Sequence, residues 1–142
     1  MNKVLIIDDE DQLRGLLSRI IGLEGYEVFQ ADSCKNGLKQ LALHDPDVVL
    51  CDVRLPDGNG VELIAEIKRV KPLVEVIMLT AHGNIPDGVQ AIKNGAFDYL
   101  TKGDDNNRII PLISRAMDQV AKAKQESQAE IPMDREYSFD TI

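Results

Sequence analysis

Five short apolar runs alternate with amphipathic stretches along the chain, and this alternation constrains the fold more than any other feature. The runs are Val4–Ile7, Tyr26–Ala31, Val48–Cys51, Val74–Thr80 and Asp98–Thr101. Between and after them, apolar residues recur every three or four positions: Leu13/Leu16/Leu17/Ile20/Ile21, Leu38/Leu41/Ala42, Val61/Ile64/Ala65/Ile67, Val89/Ile92 and Ile109/Ile113/Met117/Val120. That period predicts helices, each with one buried face. Breakers fall where such a plan needs them, with Gly25 and Gly95 closing helices and Pro46 and Pro72 preceding strands. The reading is an α/β fold, (βα)5, with a doubly wound parallel sheet. Right-handed crossovers on both faces leave a crevice beyond the carboxyl ends of the strands, where ligands bind.

A flavodoxin-like strand order, 2-1-3-4-5, puts the first and third strands side by side at that crevice. The first runs straight into Asp8-Asp9-Glu10, and the third delivers Asp52 to its end. Acids at the start of a helix also serve as caps and favour the positive end of its dipole, which is the plainer reading of either segment alone. Two strands converging on one crevice change the argument. Carboxylates held that close repel one another unless a cation lies between them, and an all-oxygen donor set with room for water suits Mg²⁺. The fourth strand ends at Thr80 and the fifth at Thr101-Lys102. Acids, a hydroxyl and an ammonium at four strand ends can hold Mg²⁺ and a phosphoryl group together, the equipment of phosphoryl transfer.

Charge excludes other classes. The 142 residues carry 16 Lys+Arg against 24 Asp+Glu, a formal net charge of -8, which disfavours direct binding to nucleic acid or anionic lipid. No apolar run approaches membrane-spanning length and no secretory segment follows Met1, so the expected location is cytoplasmic with no membrane contact. Cys34 and Cys51 have no metal-ligand spacing and read as reduced bystanders. His44 and His82 lack a second ligand at metal spacing and read as surface or rim residues, while Tyr26 and Phe29 pack on the sheet and Asp11 and Glu62 cap or solvate helices. From Lys124 the chain turns polar and Gln/Glu-rich, as a linker does.

Four ordered segments carry a resemblance: Val4-Leu-Ile-Ile-Asp-Asp-Glu10, Asp52-Val-Arg-Leu-Pro-Asp-Gly-Asn-Gly60, Val76-Ile-Met-Leu-Thr-Ala81 and Gly95-Ala-Phe-Asp-Tyr-Leu-Thr-Lys102. Over about residues 3–120 the chain resembles a bacterial two-component response-regulator receiver domain. The resemblance implies that Asp52 is the phosphoacceptor, attacking a phosphohistidine of a sensor histidine kinase to form an acyl phosphate. It implies that Asp9 ligates Mg²⁺ directly and Asp8 through water, with Asp52 and the backbone carbonyl of Arg54 completing the protein ligands. Thr80 would hydrogen-bond the phosphoryl oxygens and Lys102 would pair with them. Tyr99 matches the aromatic that turns inward when Thr80 moves, so that phosphorylation reshapes the face formed by the fourth helix, fifth strand and fifth helix. Such a domain is a switch that assists its own phosphotransfer and dephosphorylation, not an enzyme acting on a separate substrate.

Thr80-Ala-His-Gly83, Gly95-Ala-Phe-Asp-Tyr-Leu-Thr-Lys102 and Ile109-Ile-Pro-Leu-Ile-Ser-Arg-Ala116 together resemble receivers of sigma-54-dependent transcriptional activators, and Tyr137-Ser-Phe-Asp-Thr-Ile142 resembles the opening of their AAA+ ATPase domain. The expected division is a receiver over 1–123 and a linker over 124–142, leading to AAA+ and DNA-binding output domains of a longer protein. The family's proline after the lysine is Gly103 here, and a cis bond before a non-proline costs roughly 2.5–4 kcal/mol, so a trans Lys102–Gly103 peptide is expected. A haloacid-dehalogenase-type phosphatase would need an acid where Arg54 stands, and an FMN binder would need a phosphate loop where Asp8-Asp9-Glu10 stands. Finally, Ile109, Ile113, Ala116, Val120 and Ala123 form a heptad-like stripe, which predicts a weak, concentration-dependent homodimer through the fifth helix.

Overall fold

The computed structural model describes residues 2–80, 85–102 and 106–140, with side chains as far as residue 126 except at positions 85 and 106. Strands β1 (Lys3–Ile7), β2 (Glu27–Ala31), β3 (Val48–Asp52), β4 (Glu75–Thr80) and β5 (Asp98–Thr101) form one parallel sheet in the order β2-β1-β3-β4-β5. The helices are α1 (Asp11–Leu23), α2 (Cys34–His44), α3 (Gly60–Val70), α4 (Ile85–Lys93) and α5 (Ile109–Asp140). The segment from residue 124 onward, read as a linker, continues α5 as helix to Asp140. His82 and the Lys102–Gly103 peptide lie outside the described residues.

Alternation along the strands divides the core in two. Leu5, Ile7, Val49, Cys51, Val76 and Met78 face the side covered by α2, α3 and α4. Val4, Ile6, Val48, Leu50, Ile77, Leu79 and Leu100 face α1 and α5. Because β3 is covered on both faces, all five of its residues are buried. Such a strand shows an unbroken apolar run rather than polar alternation. Ser33 and Asn59 cap α2 and α3 by accepting from the amides of Asn36 and Val61 at 3.1 and 2.7 Å.

Three expectations are corrected. Val89 and Ile92 do not form the buried face of α4; they are 46% and 43% exposed, and the helix instead lays Gly88 and Ala91 on the sheet, next to Tyr99. In α1, Leu17 and Ile21 are buried but Leu16 is half exposed. The stripe on α5 is not free for a partner as far as Val120, since Ile109, Ile113, Ala116, Met117 and Val120 are all at most 6% exposed in the single chain, whereas Ala123 is only partly buried. From Ile109 to Val120 the helix rises about 17 Å, the span of a five-residue strand, so it covers the sheet to its far end.

Between β3 and α3 the chain forms a feature not foreseen, a two-residue antiparallel ribbon pairing Arg54–Leu55 with Gly58–Asn59. At its tip the Asp57 carboxylate accepts from the amides of Cys34 and Lys35 at 2.7 and 2.9 Å, and these bonds hold its pKa below the usual carboxylate range. The ribbon is thereby tied to the start of α2.

Candidate functional site

Sheet register delivers the candidate residues to one end of the molecule. Ile7 pairs with Cys51, Asp52 with Leu79 and Thr80 with Thr101, so Asp8, Asp52, Thr80 and Lys102 lie in adjacent rows at the carboxyl edge. One carboxylate oxygen from each of Asp8, Asp9 and Asp52 lies within 4.8 Å of the others. Asp8 is fully buried, Asp52 is 5% exposed and Asp9 faces solvent.

Lys102 reaches into this group. Its Nζ stands 2.8 Å from Asp52 Oδ2, 3.2 Å from Asp8 Oδ2 and 3.3 Å from Glu10 Oε1. Burial pushes the Asp52 carboxyl up, the Lys102 bond pulls it down and the Asp8 charge pushes it up again, leaving it at about 6. Burial likewise opposes the charge on Lys102, but its bond to Asp52 and the charges of Asp52 and Asp8 outweigh this, so its pKa is raised. The two directions agree physically: one ammonium is too little counter-charge for so many partly desolvated carboxylates, though ample to stay charged itself.

The donor set suits a small hard cation. All the available ligands are oxygens, and Asp8 Oδ2 is buried with no hydrogen-bond partner among the described residues, the Lys102 ammonium standing 3.2 Å away. A buried carboxylate oxygen left in that state is costly unless a cation completes it. Among the described residues this is the one cluster of acids, histidines or cysteines suited to a metal, so neither His44 nor the cysteines enter one. His44 stacks on Phe29 with ring centroids 3.8 Å apart, and burial pushes the Cys34 thiol up to about 11.

The remaining candidates surround the acids. The Thr80 hydroxyl is buried and donates to the Leu100 carbonyl at 3.3 Å, while the Lys102 amide donates to the Thr80 carbonyl at 2.8 Å. Tyr99 is half-buried and stands away from the acids, its ring against Gly88, where an added Cβ would fall 2.7 Å from ring carbons. Arg54 begins the ribbon, its amide 3.4 Å from Asp52 Oδ1.

Sequence reasoning passed over two contributors. At Gly60 an added Cβ would fall inside the Asp52 carbonyl, so only glycine lets the start of α3 approach the backbone of the strand end. Its amide donates to the Val53 carbonyl at 2.6 Å. Arg14, on α1, bonds the Asp8 carbonyl at 2.6 Å. A glycine inside a quoted motif was a visible signal; a side chain that serves a backbone carbonyl leaves none.

Residues 4–114 match the family described as "Response regulator receiver domain". The transcriptional regulatory protein GlrR of Escherichia coli K12 is 41% identical over 123 residues, which cover 87% of this chain and 28% of that protein. A crystal structure of NtrX from Brucella abortus in complex with ADP superposes with a TM-score of 0.84 at 32% identity, over 89% of this chain and 30% of that one. The solution structure of the beryllofluoride-activated NtrC4 receiver domain dimer gives 0.79 at 35% identity, over 84% and 99% respectively. The chain thus spans less than a third of the length of curated relatives such as GlrR.

Proposed function

Because this chain belongs to the response regulator receiver domain family, a family of switch domains, we propose that it accepts a phosphoryl group on Asp52 from a sensor histidine kinase, with Mg²⁺, and signals through its α4–β5–α5 face. The observation that carries the reading is the convergence of Asp8, Asp9 and Asp52 within 4.8 Å, with Lys102 2.8 Å from Asp52.

Asp9, Asp8, Asp52 and the Arg54 carbonyl would hold the cation, which offsets charge on the incoming phosphoryl oxygens. An Asp52 carboxylate oxygen attacks phosphorus, the bond from phosphorus to the histidine nitrogen breaks, and that electron pair stays on the imidazole. Lys102 exchanges its ion pair with Asp52 for one with the phosphoryl oxygens. Gly60 and the ribbon hold the Asp52 backbone while charge accumulates. The Thr80 hydroxyl has only a neutral carbonyl partner, 3.3 Å away at Leu100. A phosphoryl oxygen is the stronger acceptor, so the hydroxyl turns toward Asp52 and Tyr99 repacks against α4.

The whole regulator, in this reading, is a transcriptional activator of the sigma-54 type. Residues 1–123 form its receiver and 124–142 lead to AAA+ and DNA-binding domains. The homodimer is weak and uses surface other than the buried part of the α5 stripe, Ile109 to Val120; on α4, Val89 and Ile92 remain exposed. Among the described residues no helix is long and apolar enough to cross a membrane. Intact mass after incubation with acetyl phosphate tests the reading: one added phosphoryl group in Mg²⁺ and none in EDTA is the expected result. An adduct that forms equally well in EDTA would refute the cation's part.

A further inference from the structure

The turn that carries the acid pair is held unusually. Helix α1 starts after Glu10, whose side chain makes no capping bond, and the β1–β3 pairing stops at Ile7 and Cys51, one residue short of Asp8. The Asp8 amide is tied to the Ala31 carbonyl at 3.0 Å, and one Asp8 carboxylate oxygen accepts from the Glu10 amide at 2.9 Å. The Asp8 carbonyl, which belongs to the peptide joining Asp8 to Asp9, lies beyond the sheet ladder. Its partner is a guanidinium: Arg14 Nη1 donates to it at 2.6 Å.

That guanidinium has two further side-chain partners. Its Nε donates to Gln30 Oε1 at 3.0 Å and its Nη2 pairs with Asp11 at 2.8 Å. Gln30 is held in turn by Ser18 at 3.2 Å, and the Arg14 side chain is only 16% exposed. A forked, planar cation locked by α1 and β2 therefore sets the plane of one peptide. Rotation of that peptide swings the buried Asp8 and the exposed Asp9 relative to each other.

We propose that Arg14 is a positioning residue for the cation site, holding the Asp8–Asp9 peptide in the orientation that lets both carboxylates serve one ion. This inference rests on the Mg²⁺ reading above. It predicts an effect opposite in sign to simple electrostatics. A neighbouring positive charge repels Mg²⁺, so removing it should tighten binding; loss of an orienting bond should weaken binding.

Calorimetric titration of the full chain with Mg²⁺ separates the two. Arg14→Ala should raise the Mg²⁺ Kd about tenfold, the scale on which groups that orient metal ligands act. Arg14→Lys, which keeps the charge and can offer one donor to the carbonyl, should recover part of the loss. Gln30→Ala, which loosens the guanidinium without changing its charge, should weaken binding in the same direction by a smaller factor. Should Arg14→Ala not fold, the other two variants decide. Binding equal to or tighter than wild type in the folded variants overturns the role of Arg14 alone. A wild-type chain that binds no Mg²⁺ overturns the cation-site reading, and this inference with it.

Discussion

Replacing Asp52 by asparagine should stabilise the metal-free protein, and the size of the effect follows from the site. Burial and the Asp8 charge outweigh the Lys102 bond and carry the Asp52 carboxyl from 3.8 to about 6. At roughly 1.36 kcal/mol per pH unit this bounds the cost of ionising Asp52 in the folded state at about 3 kcal/mol. Water entry and local rearrangement reduce it to about 1–2 kcal/mol, or about 4–8 °C in Tm for a chain of this size. The sign follows from proton counting. Between pH 3.8 and about 6 the folded state holds a proton that the unfolded state has lost, so Asp52 carries no ionisation cost at low pH and the wild type loses stability as pH rises through the folded value. Lys102 stays charged across this window because its own pKa is raised, and it adds no slope. Thermal unfolding of both proteins in EDTA, at intervals from pH 3.5 to 8, should show curves that coincide at the acid end, separate between about pH 4 and 6 and run parallel above about pH 7. Mg²⁺ should then narrow or reverse the gap, since only the wild type gains RT ln(1 + [L]/Kd). A gap independent of pH, or an Asp52→Asn variant less stable than wild type in EDTA at neutral pH, would refute the reasoning.

Gly60→Ala should destabilise by about 2–4 kcal/mol, because the new Cβ meets the Asp52 backbone rather than a movable side chain; a Tm within 2 °C of wild type would refute this. Lys102→Met removes the ammonium beside Asp8 and Asp52, so the variant should lose about 3 kcal/mol in EDTA and show a larger Mg²⁺-induced rise in Tm than wild type. Equal Mg²⁺ shifts in the two proteins would contradict it. Thr80→Ala should still accept phosphate but leave the amide resonances around Tyr99 unchanged on phosphorylation; a wild-type pattern of shifts there would remove the hydroxyl from the switch.

The strands were legible because the central ones are buried on both faces and show as continuous apolar runs, and the ends of all five were read to within one residue. Asp8, Asp52 and Lys102 could be placed together from strand order alone. What was not legible depended on packing. In α4 the periodic residues Val89 and Ile92 suggested a buried face, but with Tyr99 standing against the helix only the small Gly88 and Ala91 fit beneath it. The stripe on α5 could not be divided between sheet and partner without knowing how far the sheet extends beneath it, and Val120 proved to be core. The ribbon around Pro56-Asp57-Gly58 carried turn residues, yet two-residue strands have no periodicity to detect. Arg14 acts on a backbone carbonyl, and no residue type marks that target.

The central claim is that Asp52, among several clustered acids, is the residue that becomes phosphorylated. Borohydride reduction of the protein treated with acetyl phosphate and Mg²⁺, followed by peptide mapping, tests it most directly, because the hydride converts an aspartyl phosphate to homoserine and marks the carboxylate that carried it. The account predicts homoserine at position 52 and nowhere else. Homoserine at position 8 or 9, or its absence from a chain that has gained a phosphoryl group, would contradict it.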